Sequence, residues 1–385
     1  MSQRTPRYFS KLGLQALQQH QQRKIARLEQ RELQGLQQGK RQPSYPLRTL
    51  FWECTLKCNQ HCRHCGSRAS ALPSKDLSGE DFIRALRILK ERLSGSGQRL
   101  PFLAITGGEP LVRHDLMEVM TRASQELGYA WGLTTNGVLL NKEVIEQLRA
   151  ADMRSASISI DGFGATHDEL RNSPGSFDLV MTNIEALLTA NFAREVQVTT
   201  IVNPLNLDEL DMLLGRLLKM KGLGSWRLAA TDPIGRAQED SALMLNGQQL
   251  RTLLDFVLAR NSPRLPVRYA CPSHLGEYER RARPWTFRCF AGKEVMSILH
   301  DGSLAACPNI PRNKVSIQGR LFDDDVGFDL FKVWENRYAF HRDERARYSH
   351  ICGNCEVWDA CLGGSLHTFD FDNRQQQRCI KKLIE

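Results

Sequence analysis

A chain of 385 residues is long for one domain and short for three, so two domains are expected. Hydrophobic residues at 41% and charged residues at 25% are ordinary globular usage, no stretch approaches the ~18 apolar residues of a membrane span, and the N-terminus does not read as a signal peptide, which points to the cytoplasm. The net charge of +9 is local: residues 1–48 hold ten Lys/Arg against two Glu, and the rest holds 42 basic against 41 acidic side chains, so no nucleic-acid partner is expected.

In chain order, residues 1–48 form a basic, Gln-rich extension. Leu14, Leu17, Ile25, Leu28 and Leu36 fall roughly on one stripe, giving a helix with a thin apolar face. A solvated arm is its plain reading; a docking arm for an acidic partner is the functional one. From 49 to 237 short apolar runs alternate with amphipathic segments. Strands are expected at 49–53, 102–106, 130–135, 154–160, 195–202 and 225–230. Helices are expected near 78–93, 112–127, 141–150, 176–190 and 207–219. This alternation implies parallel strands with right-handed crossovers, in a barrel or an open doubly wound sheet, with site residues in the loops after the strands. Residues 238–288 read as a helical bridge where the alternation stops. Residues 289–385 are rich in cysteine and poor in periodicity, as in segments that fold around metal rather than an apolar core.

Eleven cysteines are many for a reduced protein, and an odd number fits disulfides poorly. Cys58, Cys62 and Cys65 form a C-x3-C-x2-C array directly after the first strand. Zinc could be closed there by His61 or His64, whereas three thiolates suit a [4Fe–4S] cluster with one open iron. Cys54 fits neither register and reads as a buried thiol. After the second strand stands Gly107-Gly108-Glu109-Pro110, whose glycines would let backbone approach a ligand and whose carboxylate could accept from an ammonium group. Thr134-Thr135-Asn136-Gly137 and Ser159-Ile160-Asp161-Gly162 follow the third and fourth strands. Each is weak alone, but all sit where a barrel assembles one site.

With these motifs, residues 49–237 resemble a radical S-adenosylmethionine (SAM) enzyme, as do the strings T-H-D-E-L-R (166–171), G-S-F-D (175–178) and P-I-G-R-A (233–237). The resemblance implies a partial (β/α)6 TIM-like barrel. It implies that Cys58, Cys62 and Cys65 hold a [4Fe–4S] cluster whose open iron chelates SAM, with His64 near the adenine and Gly107, Gly108, Glu109 and Pro110 at the methionyl amino group. Asn136, Ser159, Asp161 and Arg171 are further expected contacts to SAM.

The C-terminal cysteines divide similarly. A C-x2-C knuckle alone favours zinc. Cys289, Gly302-x4-Cys307, Cys352-x2-Cys355-x5-Cys361 and Cys379 together resemble the SPASM domain, an α+β auxiliary-cluster module of radical SAM enzymes. The resemblance implies a distal cluster on Cys352, Cys355, Cys361 and Cys379. A nearer cluster would rest on Cys289 and Cys307, with Ser365 standing where a cysteine is expected and Cys271 as a substitute ligand. It also implies a peptide or protein substrate and a low-potential flavodoxin- or ferredoxin-type electron donor. Sulfatase maturation, synthesis of a tetrapyrrole or quinone cofactor, and a non-catalytic iron–sulfur or zinc protein are the alternatives. Pro308 and Asn309 follow Cys307 where sulfatase maturases carry an acidic base. Asp232, Glu277, His300, Asp301 and His367 lie near expected site loops, and none stands out as a general base.

Overall fold

The structure, a computed structural model, describes residues 45–71, 75–270, 273–283, 287–344 and 352–385. The expected N-terminal helix falls on residues 1–44, and Cys271 is also outside the described residues.

Strands β1 (Thr49–Glu53), β2 (Phe102–Thr106), β3 (Trp131–Thr135), β4 (Ser155–Ser159), β5 (Glu195–Val202) and β6 (Ser225–Ala230) follow the expected positions closely. They lie side by side in sequence order, all parallel. A doubly wound sheet would reverse its order at a switch point. With the right-handed crossovers that parallel strands take, this unbroken progression puts the helices on one face, as in an open barrel. The helices between the strands include α1 (Gly79–Gly95), α2 (Leu116–Thr121), α3 (Lys142–Ala150), α4 (Ala165–Arg171), α5 (Ser176–Ala190) and α6 (Leu210–Leu217).

Helix α1 shows why these segments fold as they do. Ser78 caps it by accepting from the Asp81 N–H at 3.1 Å, a contact worth ~1 kcal/mol. Its apolar positions Phe82, Ile83, Leu86, Leu89 and Leu93 recur at helical spacing and are all buried. Phe82 stacks on Trp52 of β1 at 3.8 Å between ring centroids. The outward face of the strands is therefore sealed against helices. The inward face, carrying Ala104, Ser157, Ser159 and Thr199, is only half-buried. A closed barrel would fill this space with large aliphatic side chains. Here the lumen is polar and accessible.

Two expectations are corrected. The bridge segment continues the barrel pattern: α7 (Gly247–Arg260) leads into β7 (Val267–Tyr269), parallel to β6. The C-terminal segment does build an apolar core. Strand β8 (Val295–Ile298) pairs parallel with the free edge of β1, and β9 (Ser303–Ala305) and β10 (Ile317–Arg320) extend the same sheet antiparallel. Met296, Ile298, Leu304, Leu321, Leu330, Val333, Trp334 and Phe369 are buried within the same core cluster as the barrel. Among the described residues no helix is long and apolar enough to cross a membrane.

Candidate active site at the C-terminal end of the barrel

The cysteine loop leaves β1 and closes on itself: Lys57 bridges Ser70, and the Cys58 N–H donates to the Ser70 carbonyl at 2.7 Å. Two neighbouring loops clamp it. From β2, Gly108 N–H donates to the Thr55 carbonyl at 2.7 Å and Glu109 N–H to the Lys57 carbonyl at 3.0 Å. A Cβ on Gly107 would meet the Thr55 oxygen at 2.3 Å, and one on Gly108 the Lys57 oxygen at 2.3 Å. The close approach these glycines permit includes one to the backbone of the cysteine loop. From the far side, Arg236 donates from Nε to the Cys62 carbonyl at 2.7 Å, from Nη1 to the Ala69 carbonyl at 2.8 Å, and from its N–H to the Cys65 carbonyl at 3.0 Å. Gly235, at φ 56°, lets this segment touch, since a Cβ would lie 2.2 Å from the Cys65 oxygen. The P-I-G-R-A string is therefore a clamp, a role that spacing alone did not reveal.

Glu109 is fully buried. Its Oε1 accepts from Thr135 Oγ1 at 2.8 Å and Leu111 N–H at 3.1 Å, and its Oε2 from Asn136 N–H at 2.7 Å. Burial pushes its carboxyl above the ordinary range against these donors. An ammonium contact would have to use the acceptor site left on Oε2. Pro110, lacking an N–H, opens the short turn behind it. Asn136 donates to Asn59 Oδ1 at 2.7 Å and approaches the Cys58 sulfur at 3.9 Å.

Under the loop lies a buried charge network. Asp161 Oδ2 is 2.5 Å from Arg171 Nη2 and 2.9 Å from His64 Nε2, and its Oδ1 accepts from the Ile201 N–H at 2.7 Å. Burial alone would raise the Asp161 carboxyl, but Arg171 and His64 hold it well below the usual carboxylate range. Burial disfavours the Arg171 charge, and Asp161 and Cys62 more than offset it. His167, one helical turn before Arg171 on α4, accepts the Asp161 N–H on Nδ1 at 3.0 Å, and burial lowers its pKa to about 4. Asp168, on the other face, caps α5 through Gly175 and Phe177 N–H groups at 2.6 and 2.8 Å. His64 meets Asp161 through Nε2, and His61 is exposed. Ser159 stands half-buried on the inward face of β4.

The three thiols lie within electrostatic reach of one another. Burial, then the neighbouring sulfurs, push Cys58 up to about 11, and burial raises Cys62. Such thiols become thiolates when a cation binds them. Donors already face the sulfurs: Gln60 N–H at 3.4 Å from Cys58, and Arg171 Nη1 at 3.7 Å from Cys62. Around them His64 Nδ1, Gln60 Nε2 and Arg171 Nε are buried without a hydrogen bond. Buried polar atoms left unpaired are the mark of a site built for a further group. Among the described residues no three His, Cys, Asp or Glu side chains are placed to hold a single metal ion. The donor set fits a larger cluster plus a polar cofactor. Cys54, by contrast, is fully buried and its thiol is pushed up by burial, as a core residue.

In the C-terminal segment Cys352, Cys355, Cys361 and Cys379 interact electrostatically as one group, and burial raises Cys361 and Cys379. Cys289 and Cys307 pack partly buried against the core. The Ser365 hydroxyl is 3.3 Å from Thr368 Oγ1 and 3.4 Å from His367 Nε2.

An open parallel barrel with a three-cysteine loop clamped at its C-terminal mouth is the arrangement expected of a radical SAM domain. Residues 52–217 match the Radical SAM superfamily, and this part of the chain is a radical SAM domain. Such a domain works with a [4Fe–4S] cluster and S-adenosylmethionine. The chain is 28% identical over 334 residues to an AdoMet-dependent heme synthase from Methanosarcina barkeri, covering 82% of this chain and 90% of that one. It is 29% identical over 323 residues to the mycofactocin maturase MftC of Mycolicibacterium smegmatis, covering 82% and 77%. Streptococcus suis SuiB bound to S-adenosylmethionine shares the fold at a TM-score of 0.66 and 16% identity, over 97% of this chain and 84% of that one.

Proposed function

We propose that this protein is a radical SAM oxidoreductase that modifies a peptide or protein, beginning with hydrogen abstraction from a substrate carbon. The observation that carries the chemistry is the Cys58–Cys62–Cys65 loop, held between the Gly107–Pro110 and Gly235–Arg236 clamps at the mouth of a polar lumen. These cysteines would hold the cluster, and His64 Nδ1 and Arg171 Nε, buried without a hydrogen bond beside them, would be available to SAM. Loaded, the cluster and SAM supply a 5′-deoxyadenosyl radical. The chain's own residues then position substrate and limit water. Cys352, Cys355, Cys361 and Cys379 would hold an auxiliary cluster, with a second on Cys289 and Cys307. The cytoplasm and a flavodoxin- or ferredoxin-type donor suit this low-potential chemistry.

The relationship to a maturase over both halves of the chain supports a peptide substrate. The heme synthase relative, matched over the same span, supports tetrapyrrole chemistry as the second reading. The two separate in one experiment. The loaded protein is given SAM, dithionite and either a candidate peptide from an adjacent reading frame or an iron tetrapyrrole carrying propionates. A mass change on the peptide coupled to 5′-deoxyadenosine supports the proposal; a changed tetrapyrrole beside an unchanged peptide contradicts it.

A further inference from the structure

Asp232 follows β6 at the C-terminal mouth of the barrel, and His367 lies far away in sequence, in the C-terminal segment. The fold brings Asp232 Oδ2 to 2.9 Å from His367 Nε2. Both side chains are mostly but not fully enclosed, at 11% and 15% exposure. The segment that follows Asp232 packs on the cysteine loop: a Cβ on Gly66 would meet Ile234 at 3.0 Å, and Arg236 grips the Cys62 carbonyl. The other oxygen of Asp232, Oδ1, is buried without a hydrogen bond, with Arg378 Nη1 standing 4.0 Å away. Arg378 is itself fixed on the carbonyls of Thr231 and Leu245, so it is a held positive charge behind the carboxylate.

We propose that Asp232 and His367 are the proton-accepting pair of this active site. An ionised Asp232 is an acceptor only, so it selects the imidazole tautomer with hydrogen on Nε2. That leaves a lone pair on Nδ1. Both hydrogen-bond contacts of His367, to Asp232 and Ser365, use Nε2, and the side chain is partly open to solvent. The arrangement has the logic of a base oriented by a carboxylate, which also stabilises the imidazolium once formed. Ser365 belongs to it. A cysteine at that position could compete as a metal ligand, whereas the hydroxyl 3.4 Å from Nε2 leaves His367 unligated. The step moves one proton and no electron. A C–H, N–H or O–H bond beside the substrate's radical carbon breaks, its electron pair stays on the substrate, and Nδ1 gains the proton. Loss of hydrogen makes that neighbouring bond far more acidic, so a base of ordinary strength suffices. The proposal rests on the radical SAM reading for its use, but the pair can be tested apart from turnover.

The first arm labels the full-length, cluster-loaded chain with diethyl pyrocarbonate, which acylates accessible unprotonated imidazole, with the exposed His114 as internal reference. His367 is expected to react at a rate comparable to His114. Asp232→Asn should slow it about tenfold, because an amide can hold the wrong tautomer, and Asp232→Glu should restore part of the rate. An unreactive His367, or one indifferent to Asp232→Asn, overturns the pair as a base. The second arm measures modified product per 5′-deoxyadenosine with whichever substrate above turns over. This ratio should fall at least tenfold in His367→Gln and lose its rise with pH; an unchanged ratio and profile overturn the proposal. Absence of 5′-deoxyadenosine in the unmodified protein would instead fail the enzyme reading, leaving the labelling result to stand by itself.

Discussion

The guanidinium of Arg171 joins Asp161 to the cluster loop: one nitrogen lies 2.5 Å from the Asp161 carboxylate and another 3.7 Å from the Cys62 sulfur. All of this is buried, so each charge depends on the others. Removing one member leaves an unpaired charge in the interior, which costs roughly 3–5 kcal/mol. Arg171→Met should therefore destabilise the protein by that amount in a denaturant titration. Arg171→Met with Asp161→Asn should recover part of the loss, because the orphaned charge is gone. Additive losses would contradict the coupling.

His167 sets a pH dependence. Burial holds it neutral, with a folded pKa of about 4 against 6.5 for the free side chain. Between these values the unfolded chain binds the extra proton, so stability rises with pH across this window and is lost as pH falls through it. The difference amounts to about 3 kcal/mol. Asp161 acts on stability only below this window, since its folded carboxyl stays ionised there. Stability measured from pH 4 to 7 should show the slope, and His167→Gln should flatten it.

The glycines of the β2 loop are required by contact with backbone. Gly108→Ala would press a Cβ into the Lys57 carbonyl. Expected outcomes are destabilisation at the upper end of the ~1–3 kcal/mol typical of overpacking, and loss of iron from the first cysteine loop. Gly95→Ala, at the open end of α1 with nothing within 4 Å, is the control and should be neutral or slightly stabilising.

Iron and sulfide counts separate the two cysteine groups. The Cys58→Ala/Cys62→Ala/Cys65→Ala triple variant should keep the iron and sulfide of a cluster on Cys352, Cys355, Cys361 and Cys379. Adding Cys361→Ala and Cys379→Ala should remove it. A triple variant with no iron would contradict the C-terminal assignment.

Several barrel strands are legible because they alternate one sealed face with one half-open face, as in β5, where Val196, Val198 and Val202 point one way and Gln197 and Thr199 the other. Strand β7 is not legible in the sequence because three residues after Pro266 are too few to establish a period. Strands β8 to β10 were masked by their cysteine and glycine surroundings, although Val295–Ile298 is apolar enough to have been suspected. At the site, the motif residues were found but several of their roles were not. The glycines also touch the cysteine loop, and His64 and Arg171 meet across Asp161, contacts that join His64 to segments roughly a hundred residues away. The spacing of His167 and Arg171, one turn apart on α4, was the available signal for that network. Nothing local could pair Asp232 with His367.

The most direct measurement is of 5′-deoxyadenosine formed from SAM by the anaerobically loaded protein under dithionite. Steady formation is expected from the unaltered chain and none from the Cys58→Ala/Cys62→Ala/Cys65→Ala variant. A protein that carries a full cluster on these cysteines yet forms no 5′-deoxyadenosine would contradict the radical SAM reading.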